Sequence, residues 1–172
     1  MSKVKSVEEK YKKYELLEHI YHLPDTYIGS IDITKINTYI YDETTKKMSD
    51  KEITYIPGFL KIFDEVLVNA IDQTVRLKME QEKGKEDVKN VKNIKVTIDR
   101  ETGYISVFND GDGIDVEKHS QYNNLWIPEM IFGELLTSSN YDKTEEKIIG
   151  GKFGYGCKLC NCLLYTSDAA DE

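Results

Sequence analysis

Four polar residues, Glu65, Asn69, Asp72 and Gln73, stand at i, i+4, i+7 and i+8 within an apolar repeat. On a helix that spacing puts them on one stripe beside the buried face. Under a pocket, such a stripe has a specific use. A carboxylate at Glu65 polarises an attacking water, and the amide oxygen of Asn69, one turn on, binds a hydrated Mg²⁺. A solvated polar face is the competing reading, and for a helix taken alone it is the commoner one.

Three further segments carry polar groups that a core does not require. Asn109-Asp110-Gly111-Asp112-Gly113-Ile114 follows a strand-like run; its glycines allow a tight bend and its short polar side chains can read a base edge. A calcium loop of the EF-hand kind is excluded by the missing oxygen ligands and closing glutamate. Thr137-Ser138-Ser139-Asn140-Tyr141 gathers hydroxyls and an amide at a helix end, suited to ribose and phosphate oxygens or to simple capping. Residues 150–158, GGKFGYGCK, offer four glycines and two lysines, enough to present successive N–H groups and positive charge to a polyphosphate. The spacing is not that of a Walker A loop, because the position five after Gly150 is Tyr155.

Stepping these groups into place requires a folded domain, and 172 residues are enough for one whose core hides roughly 70% of the unfolded chain's surface. Acidic residues outnumber lysine and arginine by 31 to 23, a net charge of −8 that argues against a surface built mainly to grip a phosphate backbone. No run approaches the roughly 20 apolar residues of a membrane span, and no signal peptide is visible, so an intracellular soluble protein is expected. Cys157, Cys160 and Cys162 lie too close together for a disulfide framework and lack a fourth zinc ligand; reduced thiols are expected.

Apolar periodicity predicts a short helix over residues 11–21, a hairpin from strands at 37–41 and 52–56, and a long helix over 59–79. A charged, solvated loop is expected over 81–93. Strands at 94–99 and 104–109 then turn at Thr102-Gly103, and a second helix near Pro128 turns Met130, Ile131, Phe132, Leu135 and Leu136 to the core. The order suits an α+β fold, a mostly antiparallel sheet covered by helices.

An acid-amide helix, an Asp-Gly-x-Gly turn after a strand and a late Gly-Lys segment, in that order, resemble the GHKL ATPases, which hold ATP under a flexible lid on a helix-covered antiparallel sheet. Within that superfamily Leu17-Glu18-His19-Ile20, the run from Pro24 to Ser30 (PDTYIGS), Ile62 to Ala70 (IFDEVLVNA), Ile131 to Tyr141 (IFGELLTSSNY) and Gly154-Tyr155-Gly156 resemble the ATPase region of eukaryotic-type, type IIA DNA topoisomerases. The resemblance runs from about residue 11 to residue 161.

By position, it implies that Glu65 activates water, Asn69 binds Mg²⁺ and ATP, and Asn109 reads adenine. Ser138, Ser139 and Asn140 would hold ribose and phosphates, while Gly151, Lys152, Phe153, Gly154, Tyr155, Gly156, Cys157 and Lys158 wrap the phosphates. Tyr11, on an N-terminal arm, would reach the nucleotide of a partner protomer, closing a homodimeric gate that lets one DNA duplex pass through a transient double-strand break in another. The location implied is the nucleus for a cellular protein, or the host cell or virion for a viral one.

Phe153, Cys157 and Gln73 stand where the family usually has Asn, Ala and Asn, which changes side-chain contacts but leaves backbone donors and an amide oxygen. After Asn161 the family pattern is lost. The expected organisation is an arm and strap over 1–30, a partial GHKL domain over 31–161 and a non-native tail over 162–172. The γ-phosphate lysine, the DNA-cleaving domain and its tyrosine are then missing, so this chain alone is expected to be inactive. A nucleotide-responsive binding module without catalysis is the rival reading.

Overall fold

A computed structural model describes Ser6, residues 11–137 and residues 155–164. Helix α1, Leu16–His22, starts behind a reciprocal capping box of Glu15 and Glu18, with the Glu15 N–H donating to Glu18 Oε2 at 3.2 Å. That box sets the start at residue 16 rather than at the expected Tyr11, and it keeps Lys12 and Lys13 out of a first turn where the helix dipole disfavours cations. Pro24 ends the run and opens α2, Asp25–Ile28, which stops at Gly29 with φ of 81°.

Strands β1, Thr34–Asp42, and β2, Lys47–Tyr55, pair antiparallel from Thr34↔Tyr55 to Asp42↔Lys47. The hairpin is longer than its apolar residues suggested because most of it is exposed and needs few of them. Its turn is tied by Asp42, whose carboxylate accepts from the Thr44 and Thr45 N–H groups and from Lys51 Nζ.

Helix α3, Pro57–Glu82, runs for 26 residues and buries Gly58, Ile62, Ala70 and Leu77. Its N-terminus lies against the strap: the Gly58 N–H donates to the Ser30 carbonyl at 2.8 Å. A Cβ at Gly58 would stand 2.9 Å from Ile28 Cδ1 and 3.1 Å from the Ser30 carbonyl oxygen, so the close approach favours glycine.

Strands β3, Ile94–Asp99, and β4, Tyr104–Asn109, form a second antiparallel pair, ending where the sequence placed them. Among the described residues the strands form two separate two-stranded sheets instead of one covered sheet. Of this strand pair it is β4 that lines α3: Ile105 and Val107 join Phe59, Ile62, Phe63 and Val66 around an apolar groove, while β3 is exposed along its whole length.

Helix α4, Ile127–Gly133, starts one residue before Pro128, near where it was expected, but ends earlier. Leu136 takes a positive φ of 63°, which breaks the periodicity, and Phe132 and Leu136 are exposed rather than core-facing. Helix α5, Gly156–Leu163, replaces the loop expected from the glycines. Its Leu159 and Cys160 close the core with Ile20, Ile28 and Ile62. No described helix is long and apolar enough to cross a membrane.

Ile20 is the one fully buried large side chain among the described residues, and it joins the strap to α5. Its replacement by alanine removes buried methylenes and leaves a cavity. Ile20→Ala is expected to lower unfolding free energy by about 3 kcal/mol, measured by urea denaturation; a loss under about 1 kcal/mol would mean that the strap is not part of the core.

Candidate nucleotide site

The residues singled out on the long helix lie between two groups of contacts. Glu65, Asn69 and Gln73 follow one another at i+4 spacing, a stripe about 12 Å long on an α-helix. At its N-terminal end, Glu65 is half-buried and its Oε1 accepts from Lys61 Nζ at 2.6 Å. The hydrogen bond to Glu65 is also the chief reason that the Lys61 ammonium is held above its ordinary range. The other carboxylate oxygen lies directly against Gly156, so closely that a Cβ there would collide with Glu65 Oε2.

Helix α5 therefore starts at the catalytic candidate. Tyr155 precedes it without a side-chain cap, and the first intrahelical bond runs from the Leu159 N–H to the Tyr155 carbonyl at 2.8 Å. The N–H groups of Gly156, Cys157 and Lys158 thus stand in the first turn, where a helix has donors without intrahelical acceptors and a partial positive charge. Lys158 behaves differently from the phosphate-facing lysine implied by its position. Its side chain is buried, and Nζ donates to the Thr137 carbonyl at 2.6 Å. Burial holds this ammonium below its ordinary range. The contact joins Thr137 to α5.

At the C-terminal end of the stripe, Gln73 Nε2 donates to the Asp112 carbonyl at 2.6 Å. Gly111 enters so close that a Cβ would lie 2.8 Å from Leu77 Cδ1 and 2.6 Å from Val91 Cγ2. Since Ile105 and Val107 lie beside Phe63 and Val66, and Asp112 beside Gln73, β4 runs along α3 in the same direction. Asn109 therefore falls between the level of Val66 and that of Gln73. It pairs with Ile94 and shares the face of Val107 and Ile105, the face turned to α3, and its side-chain oxygen accepts from the Gly111 N–H at 3.3 Å.

The two aspartates of this turn hold the loop before β3. Asp110 Oδ1 accepts from the Lys92 and Asn93 N–H groups at 2.7 and 2.9 Å, and Oδ2 from Asn93 Nδ2 at 2.8 Å. Asp112 Oδ2 accepts from the Lys89 N–H at 2.8 Å. Residues 81–93 are accordingly not the free loop expected: α3 continues to Glu82, and the rest is tied to Asp110 and Asp112. Lys61 was missed as a contributor, and Asp110, Asp112 and Thr137 were named within their segments without the contacts that they make. Lys61 had a signal, its i+4 spacing from Glu65; Asp110 had none, because its partners come from a separate segment.

Asn69 is exposed midway between the two ends, and Tyr11 is exposed on the arm. Ser138, Ser139, Asn140, Gly151, Lys152, Phe153 and Gly154 lie outside the described residues. Cys157 and Cys160 are thiols that burial holds protonated, Cys160 at a pKa pushed up to about 11, which makes them poor nucleophiles and metal ligands.

No sequence-family model matches the chain. It is 53% identical to DNA topoisomerase 2 of Acanthamoeba polyphaga mimivirus over 161 residues, 91% of this chain and 12% of that protein. The crystal structure of the ATPase region of Saccharomyces cerevisiae topoisomerase II superposes with a TM-score of 0.78 at 50% identity, over 91% of this chain and 38% of that one. The chain belongs to the type II DNA topoisomerases. The ATPase and transducer domains of the Balamuthia mandrillaris enzyme agree, with a TM-score of 0.81 at 46% identity over 91% of this chain and 37% of that one. The chain thus spans about an eighth of the curated relative and under two fifths of the solved topoisomerase ATPase regions. Their α+β architecture of helices and antiparallel strands is the one seen here, and an ATPase region implies use of a nucleotide.

The Asp110 clasp has a measurable signature. Hydrogen bonds from Asn93 and Lys92 lower its carboxyl from 3.8 to about 2. A carboxylate whose folded value is depressed contributes stability that is present above the unfolded value and lost as pH falls through the folded one. Stability should therefore decline as pH drops from 3.8 toward 2, and Asp110→Asn should flatten that part of the profile. Thermal melts across this range check it; equal slopes for the two proteins would remove the clasp.

Proposed function

We propose that this chain is part of the ATP-binding region of an ATP-dependent type II DNA topoisomerase, with the nucleotide laid along the Glu65–Asn69–Gln73 stripe. Asn109 reads adenine at one end. At the other, Ser138, Ser139 and Asn140 hold ribose and phosphate oxygens, and the backbone of residues 151–158 surrounds the phosphates. Glu65 orients and deprotonates the attacking water. What supports this reading most is that the stripe has Asn109's turn at one end and the first turn of α5 at the other.

The donor set fits Mg²⁺. No cluster of three or more His, Cys, Asp or Glu suited to a metal occurs among the described residues, and Mg²⁺ needs none, since it keeps several waters and takes one or two protein oxygens plus phosphate. Asn69 supplies such an oxygen from an exposed position. When bound, the ion neutralises phosphate charge. Tyr11 contacts the nucleotide of a partner protomer, so that binding favours a closed homodimer. Strand passage through duplex DNA belongs to the whole enzyme, in the nucleus or an infected host cell.

A thermal shift with Mg²⁺ and a non-hydrolysable ATP analogue tests the reading. At a hundredfold excess over Kd, a ligand bound only to the native state adds about 2.7 kcal/mol, roughly 5 to 10 °C for a domain of this size. Asn69→Ala should abolish the shift, whereas Glu65→Ala, acting on water rather than on binding, should retain most of it. A cooperative melt indifferent to nucleotide would refute the assignment for this chain.

A further inference from the structure

The core places an aromatic chain between the N-terminal strap and the first turn of α5. Tyr14 lies 4.8 Å from His22 and 6.4 Å from His19, centroid to centroid. His19 meets Tyr27 edge-on at 5.7 Å, and Tyr27 lies 5.8 Å from Tyr155. One polar contact fixes this series: the Tyr27 hydroxyl and His19 Nδ1 are 2.9 Å apart, one donating and the other accepting according to the histidine tautomer. Tyr155 immediately precedes Gly156, the residue packed on Glu65.

We infer that His19 is a positioning residue for the nucleotide site: by hydrogen-bonding Tyr27 it orients the ring that carries Tyr155, and so fixes the N–H groups of Gly156, Cys157 and Lys158 relative to Glu65. Burial alone does not account for it. Ile20 and Ile28, on the same two short helices, already supply the apolar contact to Leu159 and Cys160. The histidine adds direction, since aromatic pairs slide over one another at little cost whereas a hydrogen bond selects one orientation. This places the strap in the control of the site from within its own protomer. The effect on ligand affinity rests on the proposed nucleotide reading; the effect on α5 does not.

Two measurements on the same chain separate these. Amide hydrogen exchange over residues 159–163, the amides bonded within α5 from Leu159 N–H to the Tyr155 carbonyl onward, reads the order of that helix without nucleotide. His19→Ala and Tyr27→Phe should each speed exchange there by about fivefold, the loss of one hydrogen bond, and His19→Gln, which retains an amide able to meet the hydroxyl, should restore it to within about twofold. Ile53→Ala, on the remote hairpin, should leave these amides unchanged despite its own destabilisation. The Kd for the Mg²⁺–ATP analogue should rise about fivefold in His19→Ala and recover in His19→Gln. Unchanged exchange over 159–163 in Tyr27→Phe, which deletes only the hydroxyl, overturns the inference. Faster exchange in the two variants, together with a wild-type chain that binds no analogue, overturns the reading of the site, and the affinity half of this inference with it.

Discussion

A helix of 26 residues must bury a stripe along its whole length, and α3 has to find different partners along that length. Over its first turns it meets the strap and α5 through Ile62 and lines a groove with β4 through Phe59, Phe63 and Val66; further along it meets the turn after β4 through Leu77. The remaining architecture depends on this division. Because the apolar face is taken up by three separate partners, the polar stripe next to it is drawn into the seam between them, and a nucleotide-length row of side chains gains a wall at each end.

Glycine decides how closely those walls approach. At Gly156 and Gly111 a methyl group would strike Glu65 in one case and Leu77 and Val91 in the other. Elsewhere the structure uses carboxylates as clasps: Asp110 and Asp112 gather three backbone N–H groups of a segment that has no secondary structure of its own. Charged hydrogen bonds of this kind are stronger than neutral ones, so a loop rich in lysine and glutamate is held in place without a core. The buried ammonium of Lys158 does related work between α5 and the chain after α4.

Much of this was legible from residue types. The 3.6-residue repeat located α3, and the alternation around Thr102-Gly103 gave both strands of the second hairpin, because these patterns record burial on one face. The polar stripe was visible for the same reason. What stayed hidden came from contacts distant in sequence. Leu159 and Cys160 are core residues, yet the glycines before them read as a loop, since a helix as short as α5 is stabilised by packing on Ile20 and Ile62 rather than by its own propensity. The pairing of Asp110 with Asn93 and of Lys158 with Thr137 likewise needs the fold first.

The central claim is that α3 presents one continuous nucleotide site with base and phosphates at opposite ends. A crystal structure of this chain with Mg²⁺ and a non-hydrolysable ATP analogue examines it most directly. The account predicts adenine against Asn109, the metal at Asn69 and the phosphates over the first turn of α5. Phosphates placed beside the Asp110–Asp112 turn, or a nucleotide bound away from α3, would contradict it.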